Sequence, residues 1–312
     1  TMIFVGQLSK LIRTKYFGYI SGILFLSGYY LASLSKGDFF LILLGIGILA
    51  GVGTGFGYWT SLTSSVKWFP KKKGLITGVA AAGFGLGAVF MSNISEKLLL
   101  KGYDILALLR VIGVSYGVII LFFSGLIFKT NLYNEIIEKP IKLISFITQS
   151  VFIKLFFGIF QGTFSGLLII GSLAVIGDGY QMSNHTLVLG VSLFAIANFL
   201  GRLIWGFVSD YIGANLSIFL ALLFQSISII LLNMIELTEL YYLLIVSLIG
   251  FGFGGNFVLF AKETAQEFGV KNIGVIYPYV FLGYAIAGIL GPLSGGILYD
   301  ITGSFRYPII LA

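Results

Sequence analysis

Cysteine is absent from the 312 residues, which excludes disulfides, thiolate metal sites and thiol nucleophiles. Histidine occurs once, as His185 in the polar stretch Asp178 to Thr186, and with no second imidazole it reads as a loop residue rather than a ligand. Charge is scarce as well. Only 10 % of the residues are charged, against about 25 % in a soluble domain. What is abundant is apolar: 58 % of the chain, with a mean hydropathy of +1.03. So little polar surface cannot dress a soluble domain of this size, whereas in lipid an apolar exterior is favourable. There every backbone polar group must be satisfied inside a helix or a closed barrel. Barrel strands would alternate apolar and polar over about 10 residues. This chain instead stays apolar on all faces for about 18 to 25 residues at a stretch, the length that crosses a hydrocarbon core of about 30 Å. The expected class is an all-α, polytopic membrane bundle, multi-pass, in a membrane the sequence does not specify.

Apolar runs predict full spans near 17–35, 39–65, 74–98, 105–128, 148–177, 187–208, 217–235, 240–262 and 273–298. Residues 1–9 read as the tail of an earlier span, and Tyr307 to Ala312 as the start of a later one. The chain is therefore expected to be a piece of a longer bundle, without its first span and most of its last. It opens inside an apolar run at Thr1-Met2-Ile3, with no cleavable leader visible. Loops fall alternately on two sides. One side holds twelve basic residues, among them Lys10, Arg13, Lys71, Lys72, Lys73, Lys139, Lys142, Lys262 and Lys271. The other holds four: Lys36, Lys97, Lys101 and Arg306. By the positive-inside rule the first side is cytoplasmic, and this bias accounts for the net charge of +7 without any nucleic acid.

The longest charged interruption, Lys129 to Lys142, divides the chain into an incomplete N-terminal helical half, 1–138, and an incomplete C-terminal half, 139–312. An offset of 200 residues aligns Gly6 with Gly206, Ser9 with Ser209, Gly55 with Gly255, Gly74 with Gly274 and Gly83 with Gly283. Most glycines, as in 45–57 and 83–87, are expected to let membrane helices pack closely. Gly45-Ile-Gly47-Ile-Leu-Ala50 also matches a dinucleotide fingerprint, but no strand–turn–helix unit frames it and no acid follows at the required spacing, so it carries no such meaning.

Gly206-Phe-Val-Ser-Asp210-Tyr-Ile-Gly213 fits the GxxxDxxG loop motif of the major facilitator superfamily, at a cytoplasmic span end. A carboxylate there can cap the next helix N-terminus, where the helix dipole favours negative charge. The first-half counterpart, Gly6 to Arg13, carries Lys10 for the acid and Arg13 for the second glycine. Trp68-Phe-Pro-Lys-Lys-Lys-Gly74, Thr77-Gly78, Gly83 to Gly87, Asn198 to Arg202, Gly254-Gly255 and Phe268 to Tyr277 add further matches. Together these resemble the oxalate/formate antiporter family. The Arg202–Gly206–Asp210 spacing also resembles the monocarboxylate transporters. The resemblance implies two six-helix halves related as parallel repeats. It also implies a conformational gating role for Gly206, Asp210 and Gly213.

Almost every charge lies in a loop or at a span end, and Arg202 is the exception. Standing eight residues before Asp210, it lies about 12 Å inside the cytoplasmic face at 1.5 Å per residue. Charge at that depth is costly and normally marks a substrate or ion path. The acids of this half nearest to it in the chain, Asp178 and Asp210, stand at span ends. A guanidinium stays ionised and can grip a carboxylate through two parallel hydrogen bonds, and the resemblance implies that role for Arg202. Asn198, one turn earlier, can orient the guanidinium or touch substrate. Phe253, Phe257, Tyr277 and Tyr284 are candidates for an apolar pocket wall, and Gln161 for a polar contact from the opposite face. In the oxalate transporter resembled, a lysine on the penultimate span holds a second carboxylate. Alignment through Tyr277 places Tyr284 there, so one buried cation implies one carboxylate.

The expected function is alternating-access transport of a small monocarboxylate such as formate, lactate or pyruvate, with a counter-anion or a proton as coupling partner and lipid as the surrounding medium. A carrier of neutral or amphipathic solutes, or a non-transporting sensor of the same fold, are the alternatives. With one histidine, no cysteine and no clustered intramembrane acids, neither an enzyme's catalytic set nor a metal site is expected, and no cofactor.

Overall fold

The computed structural model describes residues 1–9, 11–69, 71–127 and 143–312. Within them the apolar runs close their backbone hydrogen bonds locally, and no strand occurs among the described residues. The elements are α1 (Met2–Leu8), α2 (Thr14–Ala32), α3 (Phe39–Ile42) running through a π-helical turn (Leu43–Ala50) into α4 (Gly51–Trp68), α5 (Lys73–Leu100) and α6 (Ile105–Gly125). They continue with α7 (Ile144–Ile147), α8 (Ser150–Gly179), α9 (Asn184–Ile212), α10 (Ala214–Met234), α11 (Glu239–Glu267), α12 (Ile273–Val280), α13 (Leu282–Thr302) and α14 (Arg306–Leu311).

Several helices begin at a polar cap. Asp38 accepts from the Phe40 N–H at 2.7 Å, Asp104 from Ala107 at 2.6 Å, Ser183 from Thr186 at 3.3 Å and Thr238 from Tyr241 at 3.3 Å. Among the described residues, seven helical stretches, counting 39–68 and 273–302 as continuous, are long and apolar enough to cross a membrane. Of the other two expected spans, 74–98 falls within α5, and 17–35 overlaps α2 but runs three residues past its end at Ala32. The 240–262 run falls short of its helix, because α11 continues to Glu267. Lys262, read from the sequence as a loop lysine, is therefore helical and buried.

The chain packs as two units. The first is Thr1–Trp68 with Gly87–Glu138, and the second is Phe69–Leu86 with Lys139–Ala312. The expected boundary at 138/139, the Lys129–Lys142 stretch, Lys10 and Pro70 lie outside the described residues. In the first unit Gly45, Gly53, Gly55 and Gly57 pack closely as expected, whereas Gly47 and Gly51 are exposed and face no other helix. A Cβ on Gly53 would meet the Ser21 carbonyl oxygen at 3.0 Å, and Gly28 and Gly45 approach each other's backbone, so the fingerprint-like run is a helix contact. This unit also shows that Arg202 is not the one charge inside a span. Arg110 stands five residues into α6, its guanidinium 5.7 Å from the Tyr30 ring and its Nε 3.4 Å from Ser33 Oγ. Its long stem lets the charge lie near the helix start, where Asp104 caps, rather than at mid-span.

In the second unit, α9 is gripped from two sides. Gly78 of α5 faces the Arg202 carbonyl oxygen, which an added Cβ would meet at 2.6 Å, and Gly254 of α11 faces the Arg202 backbone N, at 2.9 Å. Gly83 points elsewhere. Nothing lies within 4 Å of an added Cβ there, contrary to the close packing expected of it, because the α5 residues facing α9 are Gly74, Gly78, Ala81 and Gly85 at helical spacing. Gly254→Ala is expected to destabilise the protein by about 1–3 kcal/mol through overpacking, while Gly83→Ala leaves the unfolding midpoint unchanged or raises it. Thermal unfolding of both variants in one detergent checks this.

Candidate functional site

Arg202 lies ten residues before the end of α9 at Ile212, about 15 Å along the helix. Its side chain is buried, at 7 % exposure. Asn198, one turn earlier and half-buried, accepts from Arg202 Nε at 3.1 Å, and the Ala81 carbonyl of α5 accepts from Nη1. The guanidinium carbon stands 4.3 Å from the centre of the Phe257 ring, within the range of a cation–π contact. Phe257 continues into an aromatic wall. It meets Tyr284 edge-on at 5.3 Å and Phe253 at 5.2 Å, and Tyr284 stacks on Phe281 at 4.8 Å. Tyr277 touches that wall through Phe281, at 5.4 Å.

Six of the seven residues chosen from sequence thus form one connected group: Arg202, Asn198, Phe257, Tyr284, Phe253 and Tyr277. Their distances from the cation differ. Phe253 packs against Gly166 of α8 and Phe194 of α9, so it supports Phe257 rather than facing the guanidinium. Gln161 does not join the group. It is exposed on α8, and among the described residues its amide has no hydrogen-bond partner. A step of about 100° per residue turns it away from its neighbour Gly162, which faces the core.

Two further features were not read from the sequence. Phe281 joins Tyr277 to Tyr284, and its place four and three residues from them on one helical face was an available signal. A buried amide network also ties α8, α10 and α11. Gln225 Nε2 donates to the Gly162 carbonyl and to Ser165 Oγ, both at 2.8 Å, and Asn256 Nδ2 donates to Gln225 Oε1 at 3.0 Å. Gln225 interrupting an apolar run was the available signal there.

The loop motif has a different partner from the one expected. Asp210 caps α5 rather than the next helix, α10: Oδ1 accepts from the Gly74 N–H and Oδ2 from the Leu75 N–H, both at 2.9 Å. Lys262 of α11 completes the clasp, 2.8 Å from Asp210 Oδ1 and 3.1 Å from Ser209 Oγ. Gly74 and Gly206 make this possible, since a Cβ on Gly206 would meet the Gly74 carbonyl oxygen at 2.5 Å. Gly213 ends α9 at φ +88°, a left-handed conformation in which a side chain would be strained, and turns the chain directly into α10. In the other unit, Ser9 Oγ donates to the Gly6 carbonyl at 2.8 Å, as Ser209 Oγ does to Gly206 at 2.7 Å, matching the 200-residue offset.

The long apolar helices among the described residues define an integral, multi-pass membrane protein. The family model of the Major Facilitator Superfamily matches residues 1–292, and the chain belongs to that superfamily. Among its relatives are the uncharacterized MFS-type transporter YhjX of Escherichia coli and the oxalate:formate antiporter of Oxalobacter formigenes. The first is 27 % identical over 91 % of this chain and 72 % of its own length, the second 27 % identical over 83 % and 62 %. The apicoplast pyruvate carrier 1 of Toxoplasma gondii is 27 % identical over 78 % of this chain and 57 % of its own. The chain thus spans less than two thirds of the length of the latter two. The solved outward conformation of the transporter FucP shares the fold, with a TM-score of 0.75 at 13 % identity over 99 % of this chain and 83 % of FucP.

Proposed function

We propose that the protein carries small monocarboxylates across a membrane by alternating access, without converting them chemically. The observation that carries this reading is the Arg202 guanidinium, buried at mid-helix, oriented by Asn198 and walled by Phe257 and Tyr284. A planar cation held in one orientation suits a carboxylate, which accepts two parallel hydrogen bonds from it. The aromatic wall suits a short apolar tail. Relatives named for oxalate and formate exchange and for pyruvate carriage support small carboxylates in general. Residues 1–138 and 139–312 would act as the two repeats, with a counter-anion or a proton as coupling partner. Uptake of labelled formate, lactate, pyruvate and a neutral solute into vesicles holding the protein tests the reading. Uptake of the neutral solute alone, or no flux at all, would replace it with a neutral-solute carrier or a sensor.

In this reading the Asp210 clasp is the gate. Alternating access needs a contact that forms in one state and breaks in the other, and Asp210 joins α5, α9 and α11 through three charge-assisted bonds. Asp210→Asn should therefore slow turnover by about tenfold, since a hydrogen bond to a charged group is worth about 1–1.5 kcal/mol more than a neutral one. Substrate affinity should change little, because Asp210 lies two turns from Arg202 along α9. Flux paired with a binding assay decides. A sharp loss of affinity at unchanged turnover would remove the gating role.

A further inference from the structure

Beside the clasp, the start of α5 and the ends of α9 and α11 line an open cleft of about 250 Å³. Its walls include Lys71, Lys73, Lys262, Ser209, Asp210 and Gln266. Three ammonium groups against one carboxylate leave a formal charge of +2 in a small space. Asp210 does not relieve it. Its oxygens are already committed to the Gly74 and Leu75 N–H groups and to the Lys262 ammonium. Among the described residues, neither Lys71 nor Lys73 has an acidic partner within 4.0 Å. Lys73 stands ahead of the apolar run of α5. Burial, and then the Lys262 ammonium, push its ammonium below the ordinary lysine range. Like charges are being held together, and an anion would relieve them.

We propose that this cleft binds a phosphate-class dianion at the cytoplasmic face, and that its occupancy steadies the α5–α9 clasp. Charge selects the class. A phosphate monoester carries about −1.5 to −2 at neutral pH and three acceptor oxygens, which matches the +2 of the walls. A monocarboxylate would leave about one positive charge uncompensated and offers two oxygens. The donors come from separate elements: Lys71 from the turn before α5 and Lys73 from its first residue, Lys262 and the Gln266 amide from the end of α11. An anion shared among them bridges α5 to α11 in parallel with Asp210. The phosphate can arrive on a soluble compound or as a lipid headgroup. Lys71 is exposed, on the side where positive residues accumulate.

The test uses the whole chain. In micelles, inorganic phosphate is titrated at constant ionic strength against chloride, and affinity is read from the rise of the unfolding midpoint with concentration. In vesicles, phosphatidylcholine alone is compared with phosphatidylcholine carrying a minor fraction of phosphatidate. The double variant Lys71→Gln/Lys73→Gln should lose about a hundredfold in phosphate affinity, roughly tenfold for each charge-assisted bond. Lys97→Gln/Lys101→Gln removes the same charge at the other end of α5 and should behave as wild type. If the first double variant does not fold, Lys71→Gln alone, at an exposed position, carries the comparison. Stabilisation by inorganic phosphate identifies a soluble ligand, stabilisation by phosphatidate alone a lipid headgroup, and either supports the proposal. No shift in both arms overturns it, as does an equal response of the two double variants. A lysine-dependent response to formate equal to that for phosphate would overturn the dianion class.

Discussion

Replacing Arg202 with glutamine is expected to cut uptake of labelled formate or pyruvate by about a hundredfold or more, while the protein still reaches the membrane. A carboxylate brought to this depth without its cation is a buried charge missing its partner, which costs roughly 3–5 kcal/mol, and each 1.4 kcal/mol is tenfold in affinity. Glutamine keeps a polar side chain of moderate length, so loss of packing does not explain a loss of that size. Arg202→Lys should recover only part of the activity. It retains the charge but not the planar fork that Asn198 and the Ala81 carbonyl hold in place. Asn198→Ala, which leaves the charge and frees its orientation, should fall between wild type and Arg202→Gln. Initial uptake rates, normalised to protein in the vesicle, make the comparison. Wild-type flux through Arg202→Gln would end the assignment of the site.

The second large effect is in selectivity. Monocarboxylates should be preferred over oxalate by about a hundredfold or more, because the second carboxylate of a dianion would be buried without a cation. Tyr284 stands where the resemblance to oxalate carriers calls for that cation. Phe257 touches both, 4.3 Å from the Arg202 guanidinium and 5.3 Å from the Tyr284 ring. Tyr284→Lys would add an ammonium to the same aromatic wall as Arg202, and it should narrow or reverse the preference, provided the lysine reaches the second carboxylate. Competition of oxalate and of formate against labelled substrate, in vesicles of each variant, measures it. Strong oxalate competition against the unmodified protein would mean that another cation completes the site, and the single-cation argument would fail.

Membrane residence, the helical class and the depth of Arg202 were legible in the sequence, because each follows from local sums. An apolar run long enough to span needs no knowledge of its neighbours, and an arginine inside that run is conspicuous wherever the helix lies. The left-handed Gly213 was marked by its motif, and the Asn198–Arg202 bond by their four-residue spacing. Directions across helices were not legible. One residue turns a helix by about 100°, so only the packed bundle decided that Gln161 is exposed while Phe257 covers the guanidinium. Only tertiary structure decided that Asp210 reaches back to α5, more than a hundred residues earlier, since that bond needs Gly74 and Gly206 to bring two backbones together. It likewise turned Lys262 from a loop charge into the third member of the clasp. Composition sets which solvent each segment prefers, residue by residue, whereas a site is made of contacts between segments that exist only once the helices have packed.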